Sequence, residues 1–293
     1  MKLNSRLLEL NVAIFLISTS GILGRLMKMS PELVIFYRCL LAALVLFFFI
    51  RYKKISFKTQ EKSHIRYIVL GGILMAIHWV SYFYSLTLSN IAIAMLTLHT
   101  FPAMTSILEP MVLKTRFKYY HIFLAVLVLI GIWIILPSFD LRDNIVIATL
   151  CGLLSALAYS LRNIWTRKIM MHYNGSLIMF YQLVIMVVLL SPFLFIFDSG
   201  HLEHDLPYVL ALAFFTTVLG HTLLVSSLKH FSAVSVSLLS SIIPVYGILW
   251  GVFFLDEYPG LQTLIGGCFI MASFVTESLL NHKRLKNAGT NKN

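Results

Sequence analysis

Apolar residues fall along this chain in blocks of about 20, the number an α-helix needs to cross a bilayer's hydrocarbon layer at about 1.5 Å per residue. Short polar joints separate the blocks. The pattern predicts ten transmembrane helices near 7–27, 31–50, 66–86, 91–112, 120–137, 145–166, 177–197, 206–228, 233–254 and 260–280. None of the joints, from the basic 51–66 stretch to the acidic 198–205 loop, is long enough for a soluble domain. The run after Arg6 is span-length and lacks a small-x-small cleavage site, so the first span is expected to stay in the protein. The expected fold class is an all-α integral membrane protein.

Shifting the chain by about 142 residues superposes the span pattern on itself. Pro102 then falls on Pro244, and Tyr84-Ser85-Leu86 on Ser226-Ser227-Leu228; a shift of 144 lays Ile35-Phe36-Tyr37-Arg38 on Met179-Phe180-Tyr181-Gln182. Five spans per half is an odd number, so the second half must enter the membrane from the opposite side. The expectation is two inverted five-helix repeats, 1–140 and 141–282, followed by a polar, basic tail at 283–293 that is expected to be disordered and cytoplasmic, near anionic lipid. A proline in mid-span removes a backbone hydrogen bond and kinks its helix, which makes Pro102 and Pro244 candidate hinges; plain kinks are the alternative.

Composition agrees: 59% apolar and 12% charged residues, with a mean hydropathy of +0.86, exclude a water-soluble fold. A net charge of +11 would suggest nucleic acid in a soluble chain, but here loop position decides its meaning. With the N-terminus inside, nineteen of the 23 Lys and Arg are cytoplasmic, only Arg25, Lys28 and Arg142 lie outside, and Arg38 lies within a span. Most acidic residues show the complement. Both termini are therefore expected in the cytoplasm. Cys39, Cys151 and Cys268 each lie inside an apolar block and read as packing residues.

The order Ser30-Pro31-Glu32-Leu33-Val34-Ile35-Phe36-Tyr37-Arg38, with Leu-Leu-Ala-Ala-Leu after it, resembles the second-span signature of EamA-type members of the drug/metabolite transporter superfamily. So do Pro244, the later Asp256-Glu257-Tyr258, and the Gly266-Gly267 pair. The resemblance covers essentially the whole chain. It implies a ten-span inner-membrane carrier of small metabolites, many members exporting amino acids or related compounds. One departure is visible: in the first half Thr115 and Arg116 stand where an acidic residue is expected, and Glu109 lies six residues earlier.

Polar side chains inside a span are costly and so are candidates for a central cavity. Arg38 could bind a substrate carboxylate or phosphate, or brace the repeat interface; Gln182 is its neutral counterpart in the other half. His78 and Tyr82 share a helical face, with Trp79 adjoining, and could line the cavity or anchor at headgroups. His99, His221 and Trp250 complete the candidate lining. Ser155 and Tyr159 are second-rank candidates, and Arg162 is expected to snorkel to the cytoplasmic surface beside Asn163. His78, His99 and Glu109 are candidates for proton coupling, with Glu109 alternatively a charge at a span end. The His201–Asp205 segment has metal-like spacing but reads as a flexible external loop without further ligands, and no metal or cofactor is expected. Phosphate loops and nucleophile elbows are absent, so an enzyme is not expected. The reading is a secondary carrier, of efflux type, for a small metabolite. The alternatives are a membrane enzyme or lipid handler using the histidines and carboxylate at the headgroup level, and an assembly partner with a collapsed Leu/Phe centre.

Overall fold

The computed structural model describes residues 2–59, 61–114, 119–136 and 140–290. They form helices α1 Ser5–Leu26, α2 Pro31–Tyr52, α3 Lys62–Leu88, α4 Ile91–Leu113, α5 Tyr120–Ile135, α6 Asn144–Ile169, α7 Gly175–Phe195, α8 Leu202–Ser227, α9 Ala233–Leu255 and α10 Leu261–Thr290. Eight of the ten are long and apolar enough to cross a membrane; in α5 and α10 the described apolar stretches, Ile122–Ile135 and Leu261–Ser273, are shorter. No strand occurs among the described residues. Large apolar side chains such as Phe48, Leu129, Trp133 and Phe253 point outward, as a lipid-facing surface requires.

Local chemistry sets where several helices start. Asn90, Asp143, Asn174 and Ser232 each accept a backbone N–H from the first turn of the helix that follows. Both long central helices are broken. In α4 the helix pauses at His99–Thr100 and resumes at Phe101; in α9 a 3-10 turn, Ser240–Ile242, precedes Ile243. Pro102 and Pro244 are each the second residue of the resumed segment. A proline in a first turn has no needed N–H to lose, so both breaks are made without stranding a backbone donor there. The two broken helices also end alike, on Lys114 and Asp256, both at φ 54.

The helices of the first five pack on those of the second five: α1 on α8 and, less closely, α9; α2 on α7; α3 on α6; α4 on both α6 and α9; and α5 on α10. Exchanging the halves reproduces the same set of pairs. The pairs α1–α8, α2–α7, α3–α6, α4–α9 and α5–α10 are antiparallel. Along α2 and α7, Cys39 meets Met186 and Phe47 meets Phe180. Along α3 and α6, His78 meets Ser155 while Gly71 lies beside Thr166. In α5 and α10 the backbones touch: a Cβ on Gly131 would stand 2.6 Å from the Gly266 carbonyl oxygen, so only glycine permits this approach.

α4 and α9 cap each other. Glu257, just past the end of α9, accepts the Ile91 N–H at the start of α4 (2.9 Å), and Glu109, near the end of α4, accepts from Ala233 and Val234 at the start of α9 (3.3 and 3.1 Å). The acidic residue that the first half lacks in sequence register is thus supplied from a turn and a half earlier. Thr115 and Arg116 lie outside the described residues.

Two expectations are corrected. His201–Asp205 is not a flexible loop: α8 begins at Leu202, and the fully buried Asp205 carboxylate accepts the Lys28 and Met29 N–H groups (both 2.8 Å), pinning the α1–α2 turn. The basic tail is not irregular as far as it is described, because α10 continues to Thr290.

Candidate functional site

Midway along α2, α3, α4, α6 and α8 the bundle gathers Arg38, His78, Trp79, Tyr82, His99, Tyr159 and His221 around one cavity. Arg38 sits about two turns into α2 and is 1% exposed. Its guanidinium carbon lies over the Trp79 ring, 3.6 Å from the centroid, and it donates from Nε to Thr217 Oγ1 (2.6 Å) and from Nη2 to Thr216 Oγ1 (2.9 Å). Consecutive residues on a regular helix point about 100° apart, which would not aim two neighbouring hydroxyls at one guanidinium. Residues Leu212–His221 are π-helical, and both threonines back-bond to the Leu212 carbonyl. The widened turn brings the two hydroxyls to Arg38.

The histidines are held by different means. His78 Nδ1 lies 2.7 Å from Ser155 Oγ and its ring stacks on Tyr159 at 4.2 Å. His99 Nδ1 is 2.7 Å from the Met95 carbonyl, one turn back, so that nitrogen carries the proton and donates. His221 packs edge-on against Trp79 at 5.1 Å, and its Nδ1 is buried with no hydrogen-bond partner. Tyr82 donates to the Met95 sulfur. The cavity's free volume is about 30 Å³, room for about two waters at roughly 10–15 Å³ each. Pockets that hold metabolites run to about 300–1,000 Å³, so this conformation is contracted around its polar groups.

Six of the eight expected lining residues therefore meet at one place, and Gln182 and Trp250 do not. Trp250 faces a lipid-side groove between α1, α8 and α9 and donates from Nε1 to Ser18 Oγ (3.1 Å). Gln182 instead accepts from Arg162, through Nε at 3.0 Å and Nη2 at 2.6 Å, and donates to Thr166. Snorkelling of Arg162 is overturned: the residue is fully buried, with Nη1 donating to Asn163 Oδ1 (3.0 Å). Its helix runs on to Ile169, seven residues further, or roughly 10 Å of rise, which puts Arg162 too deep to reach a surface.

The site also includes Thr216, Thr217, Ser20 and Phe101, which the sequence pattern does not mark as lining. Two adjacent hydroxyls in an apolar span are the one legible signal for the threonines. Glu109 stands away from the cavity as a helix cap. The polar groups meet in mid-bundle, neither at a helix-end level suited to a headgroup enzyme nor in a collapsed centre of Leu and Phe.

The chain belongs to the EamA-like transporter family, whose sequence profile matches residues 7–136 and again 146–276. It is a multi-pass membrane transporter of the drug/metabolite type. The pseudopaline exporter CntI of Pseudomonas aeruginosa, in strains UCBPP-PA14 and PAO1, is 23% identical over 248 residues, which cover 84% of this chain and 85% of that protein. A solved structure described only as "crystal structure of protein" superposes with a TM-score of 0.72 at 17% identity, covering 96% of this chain and 98% of its own; at that identity the likeness concerns the fold.

Proposed function

We propose that this protein is a secondary exporter that carries a small polar or amphipathic metabolite, such as an amino acid or related compound, across a bacterial inner membrane by alternating access. Ten spans would form two inverted halves, 1–140 and 141–282, with both termini in the cytoplasm. The observation that carries the reading is the cavity where the halves meet, walled by buried polar groups from both and too small for a substrate in this conformation. Antiparallel, exchange-symmetric helix pairs support it, because two equivalent conformations related by swapping the roles of the halves are what rocking requires. The family and the exporter among its relatives point the same way.

Pro102 and Pro244 are the hinges in this reading, since each sits where its helix is already broken. Proton coupling falls to His78 and His99 on the cavity wall rather than to Glu109, whose oxygens are taken up by the α9 backbone. Counterflow in proteoliposomes, run with and without a pH gradient, tests both parts. Exchange of at least one metabolite is expected; no exchange across amino acids, organic acids, amines and nucleosides would refute the carrier reading, and indifference to the gradient would remove the coupling.

A further inference from the structure

We propose that the substrate is an organic anion, and that its acidic group supplies the counter-charge missing between Arg38 and Arg162; this rests on the carrier reading above. Arg38 belongs to the first half and Arg162 to the second, and they are 1% and 0% exposed. Among the described residues neither guanidinium has a carboxylate within 4 Å. Carboxylates near the bundle lie elsewhere: Glu257 with Arg25 and Ile91, Glu109 with the start of α9, Asp205 with the α1–α2 turn, and Glu32 with Tyr84 through one oxygen, its other oxygen being buried without a partner. Among the described residues the two cations are held by neutral acceptors: two threonine hydroxyls and the Trp79 face for Arg38, and Gln182, Asn163 and the Met179 sulfur for Arg162.

The unfilled hydrogen-bonding positions point the same way. A guanidinium has five N–H donors, and Arg38 uses two of them. Asn163 Nδ2, a donor, is buried without a hydrogen-bond partner, and so is His221 Nδ1, which donates in one of the ring's tautomers. Asn163 and Arg162 stand one turn along α6 from Tyr159, which lines the cavity, without being lining residues themselves in this conformation. The centre is therefore rich in donors and short of acceptors, which is the complement of a carboxylate or phosphate. Phe101, Leu98 and Ile243 on the cavity wall give the remainder of the molecule apolar contact. An anion seated there touches both halves at once.

The test uses the full chain in detergent and in proteoliposomes. Counterflow is run with mono- and dicarboxylates, their matched amides, phosphate monoesters and amines. Carboxylates are expected to exchange at least ten-fold faster than the matched amides; phosphate esters exchanging in their place would assign the same site to phosphate as the acidic group. Arg38→Gln and Arg162→Gln should each lower acid exchange at least ten-fold. Because either variant could fail to fold, Asn163→Asp is the decisive partner. It gives Arg162 a carboxylate of the protein's own, so it should keep or raise the thermal midpoint, abolish stabilisation by added carboxylate and cut acid exchange at least ten-fold. Equal exchange of acid and amide, or Asn163→Asp transporting acids like wild type, would overturn the proposal and leave both arginines as braces. Absence of exchange for every compound would refute transport itself, and the thermal-shift arm would then decide the anion site alone.

Discussion

Arg38 and Trp79 lean on each other, and each can be tested separately. A desolvated cation over an indole face is worth about 2 kcal/mol, and removing a buried tryptophan costs roughly 3–5 kcal/mol in all. Trp79→Leu should therefore destabilise by about 2–4 kcal/mol, read as a lowered unfolding midpoint; a loss below about 1 kcal/mol would mean that the stack carries no weight. Arg38→Lys keeps the charge but not the planar fork, so the two threonines and the indole cannot be engaged together. Counterflow should fall at least ten-fold, with a stability loss of roughly 1–3 kcal/mol from the buried contacts that Lys cannot make, and wild-type transport by Arg38→Lys would show that charge alone suffices. At this scale the sequence carried most of the cavity wall, because histidines, tyrosines and an arginine in apolar blocks announce themselves by cost. Arg162 lies deeper than hydropathy alone indicates, because its helix continues to Ile169, three residues past the apolar block. Trp250 misled in the opposite sense, since a tryptophan in a span serves a lipid groove as readily as a cavity.

Between elements, the reciprocal caps of α4 and α9 make a prediction that depends on their pairing. Each carboxylate satisfies N–H groups that the partner helix leaves open, and such a cap is worth about 1 kcal/mol. Glu109→Ala and Glu257→Ala should each lower stability by roughly 1–2 kcal/mol, and the double variant should lose about the sum, because the caps lie at opposite ends of the helices and share no partner. A single variant that costs nothing would mean water caps that end equally well. Span positions and the paired prolines were legible because hydropathy and proline act locally. The first-half cap was not, since Glu109 and Glu257 stand at different offsets from their prolines, and what they share is the distance to another helix's N-terminus. The π-helical stretch of α8 left only the Thr216-Thr217 pair as a trace.

For the molecule as a whole, the proposed alternating-access cycle requires that whatever closes one end of the cavity yield for the other end to close. At one end Arg25 donates from Nε to Glu257 (2.7 Å) and from Nη1 to the Leu86 carbonyl (3.1 Å), so one side chain ties α1 to α3 and to the end of α9. The pair is partly exposed, at 30% and 20%, and such pairs contribute about 0–1 kcal/mol to stability. A tie that weak matters little for folding yet is comparable to the differences that set conformer populations, where about 1.4 kcal/mol is a factor of ten. Arg25→Met should consequently leave the unfolding midpoint within a degree or two of wild type while exposing the cavity. Ser20→Cys on the cavity wall, in a background lacking Cys39, Cys151 and Cys268, reports that exposure through its rate of reaction with a polar maleimide. The rate should rise several-fold on adding Arg25→Met and fall again when Arg25 is restored. An unchanged rate in a stably folded Arg25→Met protein would show that this end is closed by apolar packing around Gly24, Phe83 and Leu86 rather than by the ion pair.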